Sequence, residues 1–178
     1  MDVPVSLRLP LIPGVVIRHV AEEDLPGLEW GGEYTHFRRL FQEAYQSARN
    51  GKAVLWIADL AGFGLIGQVF IHLDNQRHNL PDGFTGAYLY AFRVRETYRQ
   101  KGLGGSLLEV AEADLIQRKY QMISLNVARD NTLARRFYEK RGYRVVAPEA
   151  GRWSYIDEHG HRVDVVEPSW RMEKRLMY

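Results

Sequence analysis

The stretch from Ala87 to Lys119 constrains this chain more than any other part of it. Ala87 to Val94 is apolar and β-rich, Arg99-Gln100-Lys101-Gly102-Leu103-Gly104-Gly105-Ser106 follows, and Leu107, Leu108, Ala111 and Leu115 then recur at helical spacing as far as Lys119. The order is strand, glycine-rich turn, helix. Three glycines in the four positions 102 to 105 let the backbone come close to a ligand, and the free N–H groups of a helix's first turn favour negative charge. Arg99 and Lys101 add cationic side chains beside them. Such a turn suits a pyrophosphate. By composition alone, a strand-to-helix connection that binds nothing fits it as well.

Two other phosphate motifs fail on register. A dinucleotide fingerprint starting at Gly102 needs a glycine where Leu107 stands. A P-loop needs Lys and then Ser or Thr directly after its last glycine, whereas Lys101 precedes Gly102 and Ser106 follows Gly105 without a lysine.

Around this stretch the chain alternates between α and β patterns. Val15 to Val20 reads as a strand, and Glu22-Glu23-Asp24 suits the positive end of a following helix. The spacing of Phe37, Leu40, Phe41, Ala44 and Tyr45 predicts a helix over Glu33 to Arg49, stopped at Asn50-Gly51. Ala53 to Leu60 and Leu65 to Leu73 read as an antiparallel hairpin, and Asp74 to Gly86 as a loop. Met122 to Ala128 reads as a strand and Asn131 to Lys140 as a helix ended by Gly142. The Ala87 and Met122 strands with their intervening helix form a βαβ unit. The tail reads as Arg152 to Ile156, a turn at Asp157 to His161, and one extended run from Arg162 to Val166 through Trp170 to Leu176, with Pro168 at a bulge or an edge.

Composition excludes some functions. The chain has 178 residues, 46% of them hydrophobic, which is enough for one compact core. Its net charge of +2 comes without a basic stretch interleaved with aromatics, so no nucleic-acid partner is expected. It has no cysteine, which rules out a disulfide, a thiolate metal site and an acyl-cysteine intermediate. Met1 to Val15 has no basic region before an apolar run and contains Pro4, Pro10 and Pro13, so neither a secretion signal nor a membrane partner is expected and a cytoplasmic protein is. His159-Gly160-His161 falls in a predicted hairpin turn with only Asp157 or Glu158 near as a third ligand, and no metal is expected there.

The glycine turn resembles the acetyl-CoA signature of the GNAT superfamily of N-acetyltransferases, Arg/Gln-x-x-Gly-x-Gly/Ala, with Arg99, Gly102 and Gly104 in register. Upstream, Leu89 to Val94 looks like the family's fourth strand. Downstream, Leu125-Asn126-Val127 with Asn131, Ala134, Tyr138, Gly142 and Tyr143 looks like its fifth strand, the next helix and the sixth strand. Glu96 departs from the pattern, since many members have a proline after the fourth strand. The resemblance implies an α/β (α+β) fold, a central mixed and mostly antiparallel twisted sheet of about seven strands flanked by about four helices. It also implies a single domain over 1–178 with the cofactor-binding core at about 86–145.

Roles follow from the same resemblance. The backbone of Phe92, Arg93 and Val94 would bind the pantetheine arm of acetyl-CoA as an added strand, with Asn126 and Asn131 completing the contacts. Arg99, Gln100, Lys101, Gly102, Leu103, Gly104, Gly105 and Ser106 would hold the pyrophosphate. Tyr138 would contact the cofactor and act as the general acid that protonates the departing thiolate. Read alone, Asn131 is an N-cap and Tyr138 a core aromatic. Glu33, Tyr34, Tyr88, Tyr90 and Asp74 are candidates for substrate contacts or the general base; Trp30, Trp153, Tyr155 and Trp170 line an acceptor pocket or a dimer surface, or pack in the core. The implied activity is acetyl transfer to a primary amine of a small molecule or peptide. The alternative is a non-catalytic acyl-CoA-binding sensor on the same fold. A homodimer is a hypothesis from family habit.

Overall fold

A computed structural model describes residues 12–73 and 85–176. Among the described residues nine strands run β1 (Val15–His19), β2 (Ala53–Leu60), β3 (Gly64–His72), β4 (Gly86–Val94), β5 (Met122–Ala128), β6 (Arg144–Glu149), β7 (Arg152–Ile156), β8 (Arg162–Val166) and β9 (Ser169–Arg175). Three α-helices intervene, α1 (Arg38–Arg49), α2 (Leu103–Gln117) and α3 (Thr132–Glu139), with 3-10 segments at Glu22–Gly32, Thr35–Phe37 and Glu96–Tyr98. The main sheet has seven strands in the order β1-β2-β3-β4-β5-β9-β6, and only β4 and β5 pair in parallel. This is the mixed, mostly antiparallel sheet expected. The reading of Asp74 to Gly86 as a loop falls mostly outside the described residues, as does Asp74 itself.

Both faces of the sheet are covered, so β3 is buried almost throughout rather than alternating. One core packs Ile66, Val69, Ala87 and Leu89 against Leu103, Leu107, Leu108, Ala111 and Leu115 of α2. The other packs Leu55, Ile57 and Phe70 against Phe41 and Ala44 of α1 and against Leu28. These are the helix faces that the spacing marks out.

Two boundaries differ from the sequence reading. The helix expected from Glu33 starts at Arg38, because Trp30, Gly31 and Gly32 all have positive φ and the chain re-enters helix only after Tyr34. The acidic run before it opens the first 3-10 segment, as expected of residues at the positive end of a helix, and is tied down locally. Asp24 receives two hydrogen bonds from the Arg18 guanidinium, at 2.6 and 2.8 Å, and one from the Ala21 N–H at 2.7 Å. The extended run expected from Arg162 to Leu176 breaks at Pro168, which lacks a ladder donor. Before the break β8 pairs with β7 in a separate two-stranded sheet; after it β9 inserts between β5 and β6.

The crossing between the two sheets is tight at Gly151. Its φ is +66°, its carbonyl accepts the Glu167 N–H at 2.9 Å, and a β-carbon on it would lie 1.7 Å from the Glu167 carbonyl oxygen. Gly151→Ala is therefore expected to destabilise the protein by about 2–4 kcal/mol in urea unfolding. A change of under about 0.5 kcal/mol would contradict this packing.

Candidate active site

Strands β4 and β5 pair from Gly86↔Met122 to Leu89↔Leu125 and then part, although β4 continues to Val94 and β5 to Ala128. The cause lies on the other edge of β4. The β3–β4 register slips between Gln68 and Phe70, and opposite the slip Ala91 adopts φ +48°, a β-bulge. The side-chain amide of the fully buried Gln68 donates to the Ala91 carbonyl at 3.2 Å and holds the distortion. The bulge also reverses side-chain parity. Ala87 and Leu89 face the α2 core before it; Phe92 and Val94 face that core after it, and Arg93 faces α1. Beyond Leu89 the β5-facing edge of β4 carries backbone groups that β5 does not pair.

The glycine turn stands at the open end of this gap. Gln100 and Gly102 take positive φ, of 59° and 82°, and the first intrahelical bond of α2 runs from the Ser106 N–H to the Gly102 carbonyl. No side chain caps that helix end, so its first-turn donors point outward. Arg99 folds back, its Nε donating to the Val94 carbonyl at 2.9 Å, and the Ser106 hydroxyl donates to the Gly102 carbonyl at 3.2 Å. Those two side chains brace the turn, while Lys101 is exposed beside it. Leu103 is buried in the α2 core.

Phe92, Phe137 and Gly104 meet at the base of the gap. A β-carbon on Gly104 would lie 3.6 Å from the Phe137 ring and 3.7 Å from that of Phe92. The Arg141 guanidinium stacks 3.8 Å above Phe137 and occupies the space that a side chain on Gly105 would need. Tyr138 packs against Phe92, Phe137 and Tyr143, and burial pushes its phenol pKa well above the ordinary 10.0, with Tyr88 adding to the shift. The structure thus gives Tyr138 the packing of a core aromatic while also placing it beside the gap. Asn131 caps α3, its Oδ1 accepting the Ala134 N–H at 3.1 Å, and Asn126 is exposed on β5 past the point of parting.

The candidate substrate residues lie on the α1 side of β4. His72, Tyr88 and Tyr90 are stacked, with His72 and Tyr90 at 4.2 Å, and burial raises the Tyr90 pKa. Tyr34 covers the Arg93 guanidinium at 3.6 Å, while Glu33 is exposed next to it. Trp30 is buried; Trp153 and Tyr155 of the hairpin pack on Phe37 beside α1. Trp170 stacks with Arg129 across β9, away from these residues. His159 and His161 sit in the β7–β8 turn, where Asp157 accepts both their backbone N–H groups. Gln68 and Arg141 are absent from the sequence reading. A lone glutamine inside the apolar run Leu65 to Ile71 was the signal for the first.

The mixed sheet opens between two parallel strands, with an uncapped glycine-rich helix end at the opening, and comparison with known proteins gives this arrangement its family. The family model described as acetyltransferase (GNAT) family matches residues 17–143. No curated protein matches the chain by sequence. Among solved structures, Ard1 from Thermoplasma volcanium is similar at 17% identity, covering 93% of this chain and 99% of its own, with a TM-score of 0.71. A chimera of the spermidine N-acetyltransferase SpeG from Vibrio cholerae is similar at 18% identity, covering 92% and 96%, with a TM-score of 0.67. NAA60 from Arabidopsis thaliana, in complex with acetyl-CoA, is similar at 21% identity, covering 91% and 98%, with a TM-score of 0.68. The chain belongs to the GNAT acetyltransferase family. No helix among the described residues is long and apolar enough to cross a membrane.

A β-carbon on Gly104 makes only ordinary contacts, so the alanine that the signature allows there should be tolerated, whereas the branched side chain of Gly104→Val should intrude on the gap. The affinity of Gly104→Val for acetyl-CoA is expected to fall by at least about tenfold in calorimetry, with an unchanged melting temperature. Unaltered affinity would detach the glycine turn from ligand binding.

Proposed function

We propose that the protein is an acetyl-CoA-dependent N-acetyltransferase acting directly on a primary amine of a small molecule or peptide. The observation that carries this reading is the meeting of two unsatisfied backbone surfaces, the parted edge of β4 and the uncapped amino end of α2. An extended amide-bearing arm fits the first and a pyrophosphate fits the second. In support, the similar Arabidopsis structure holds acetyl-CoA.

Acetyl-CoA supplies a thioester whose acyl carbon an amine can attack. The residues present would hold it as follows: the backbone of Phe92 to Val94 along the arm, the first-turn N–H groups from Gly102 to Gly105 on the pyrophosphate, and Lys101 beside them. Backbone donors near Phe92 are suited to stabilise an oxyanion, because they are fixed before any charge develops. With no cysteine in the chain, transfer proceeds without an acyl-thiol on the protein.

Tyr138 supplies the proton for the leaving thiolate. Its raised pKa means that the phenol stays protonated through and beyond the neutral range, the form that an acid needs. Tyr138→Phe is therefore expected to lower kcat by about 10²-fold, uniformly from about pH 6 to pH 9, and to leave acetyl-CoA affinity within about twofold. Acceptor-dependent thiol release at the unmodified rate would return Tyr138 to core packing alone.

A further inference from the structure

On the α1 side of β4 lies an arginine with no ion-pair partner among the described residues. Several other arginines are matched by carboxylates: Arg18 by Asp24 and Asp59, Arg38 by Glu29, Arg171 by Glu149 and Glu173. Arg93 is not. Its guanidinium is enclosed by rings, with Tyr34 at 3.6 Å and Trp30 and Phe41 at 5.5 Å, and among the described residues no carboxylate forms an ion pair with it. Its Nε and Nη2 are buried without a hydrogen-bond partner, and so is the indole Nε1 of Trp30. Tyr34 and the exposed Glu33 favour its charge, but burial outweighs both and pulls its pKa below the ordinary arginine value. Three orphaned donors in one aromatic enclosure, two of them on a guanidinium fork, lack an anion of matching geometry.

The backbone is distorted to build this enclosure. Trp30 sits at φ 49° and ψ 46°, a left-handed conformation that bulky residues rarely adopt, and so brings its ring under both Arg93 and Arg95. Gly31 and Gly32 follow with positive φ and with open space around them, and the ring that covers the guanidinium, Tyr34, comes two residues later. Arg93 itself directly follows Phe92, whose backbone lies at the gap.

We infer that Arg93 is the counter-ion for a carboxylate on the acceptor, so that the protein acetylates amino acids in preference to polyamines or neutral amines. The carboxylate displaces the Tyr34 ring and receives the Nε and Nη2 donors as a fork, and Trp30 Nε1 is the third donor. A polycation meets an unneutralised charge at the same place. This substrate class rests on the N-acetyltransferase reading, whereas the carboxylate contact is measured without turnover.

The test is calorimetric titration of the protein saturated with CoA, using glycine, β-alanine, 4-aminobutyrate and phenylalanine, each against its own amide. At least one acid is expected to bind at least about tenfold more tightly than its amide. Arg93→Met is expected to erase that difference and Arg93→Lys to retain part of it, since lysine keeps the charge but not the fork. Circular dichroism and CoA titration check that each variant folds, and the comparison of acid with amide on the unmodified protein needs no variant. With acetyl-CoA, thiol release should show a lower KM for the preferred acid than for its amide. Equal binding of acids and amides, no binding of any acid, or discrimination that survives in Arg93→Met would each overturn the proposal. Discrimination in binding with no thiol release from acetyl-CoA would uphold the carboxylate site and refute the transferase reading instead.

Discussion

The left-handed backbone at Ala91 sets the geometry of everything near the site. A non-glycine residue held at φ +48° costs on the order of 1–3 kcal/mol, and it persists only where its surroundings over-determine it. Here the buried Gln68 does so by donating to the Ala91 carbonyl, at the further expense of leaving its own Oε1 without a partner. With a regular strand in its place, β4 could pair with β5 along its full length and the gap would close. The distortion also turns Phe92 toward the α2 core and Arg93 toward α1, so one bend in the backbone gives the strand two chemically different sides.

The two sides have different electrostatic characters. On the α2 side the donors are backbone N–H groups fixed at a helix end, braced by Arg99 and Ser106 through bonds to Val94 and Gly102. They need no rearrangement to receive negative charge. On the α1 side the polar groups are embedded among rings: Tyr88, Tyr90 and His72 in a stack, and Arg93 under Tyr34. Tyr138 joins the two, since it packs on Phe92 and its phenol also feels Tyr88. A proton held there stands where chemistry on either side could use it.

The parts of this arrangement legible in the sequence are the local ones. The α2 face, the glycine turn and the strand at Met122–Ala128 follow from periodicity and glycine position, and these depend on near neighbours. The Ala91 bulge was not legible, because alanine carries no signal for a left-handed conformation and the cause, Gln68, lies 23 positions away. The direction of the Arg93 side chain was lost with it, because a bulge inverts the alternation from which a strand's faces are read. Likewise β9 pairs between β5 and β6 across long stretches of chain, a choice that no local pattern encodes. Pro168 marked the break before it, though not the change of sheet.

We propose that the gap between β4 and β5, closed at one end by the amino terminus of α2, binds acetyl-CoA. Isothermal titration of the purified protein with acetyl-CoA and CoA, with ATP and NADH as controls, tests it most directly. Saturable micromolar binding of the two CoA species and none of the controls is expected. Absence of CoA binding, or equal affinity for ATP and NADH, would contradict it.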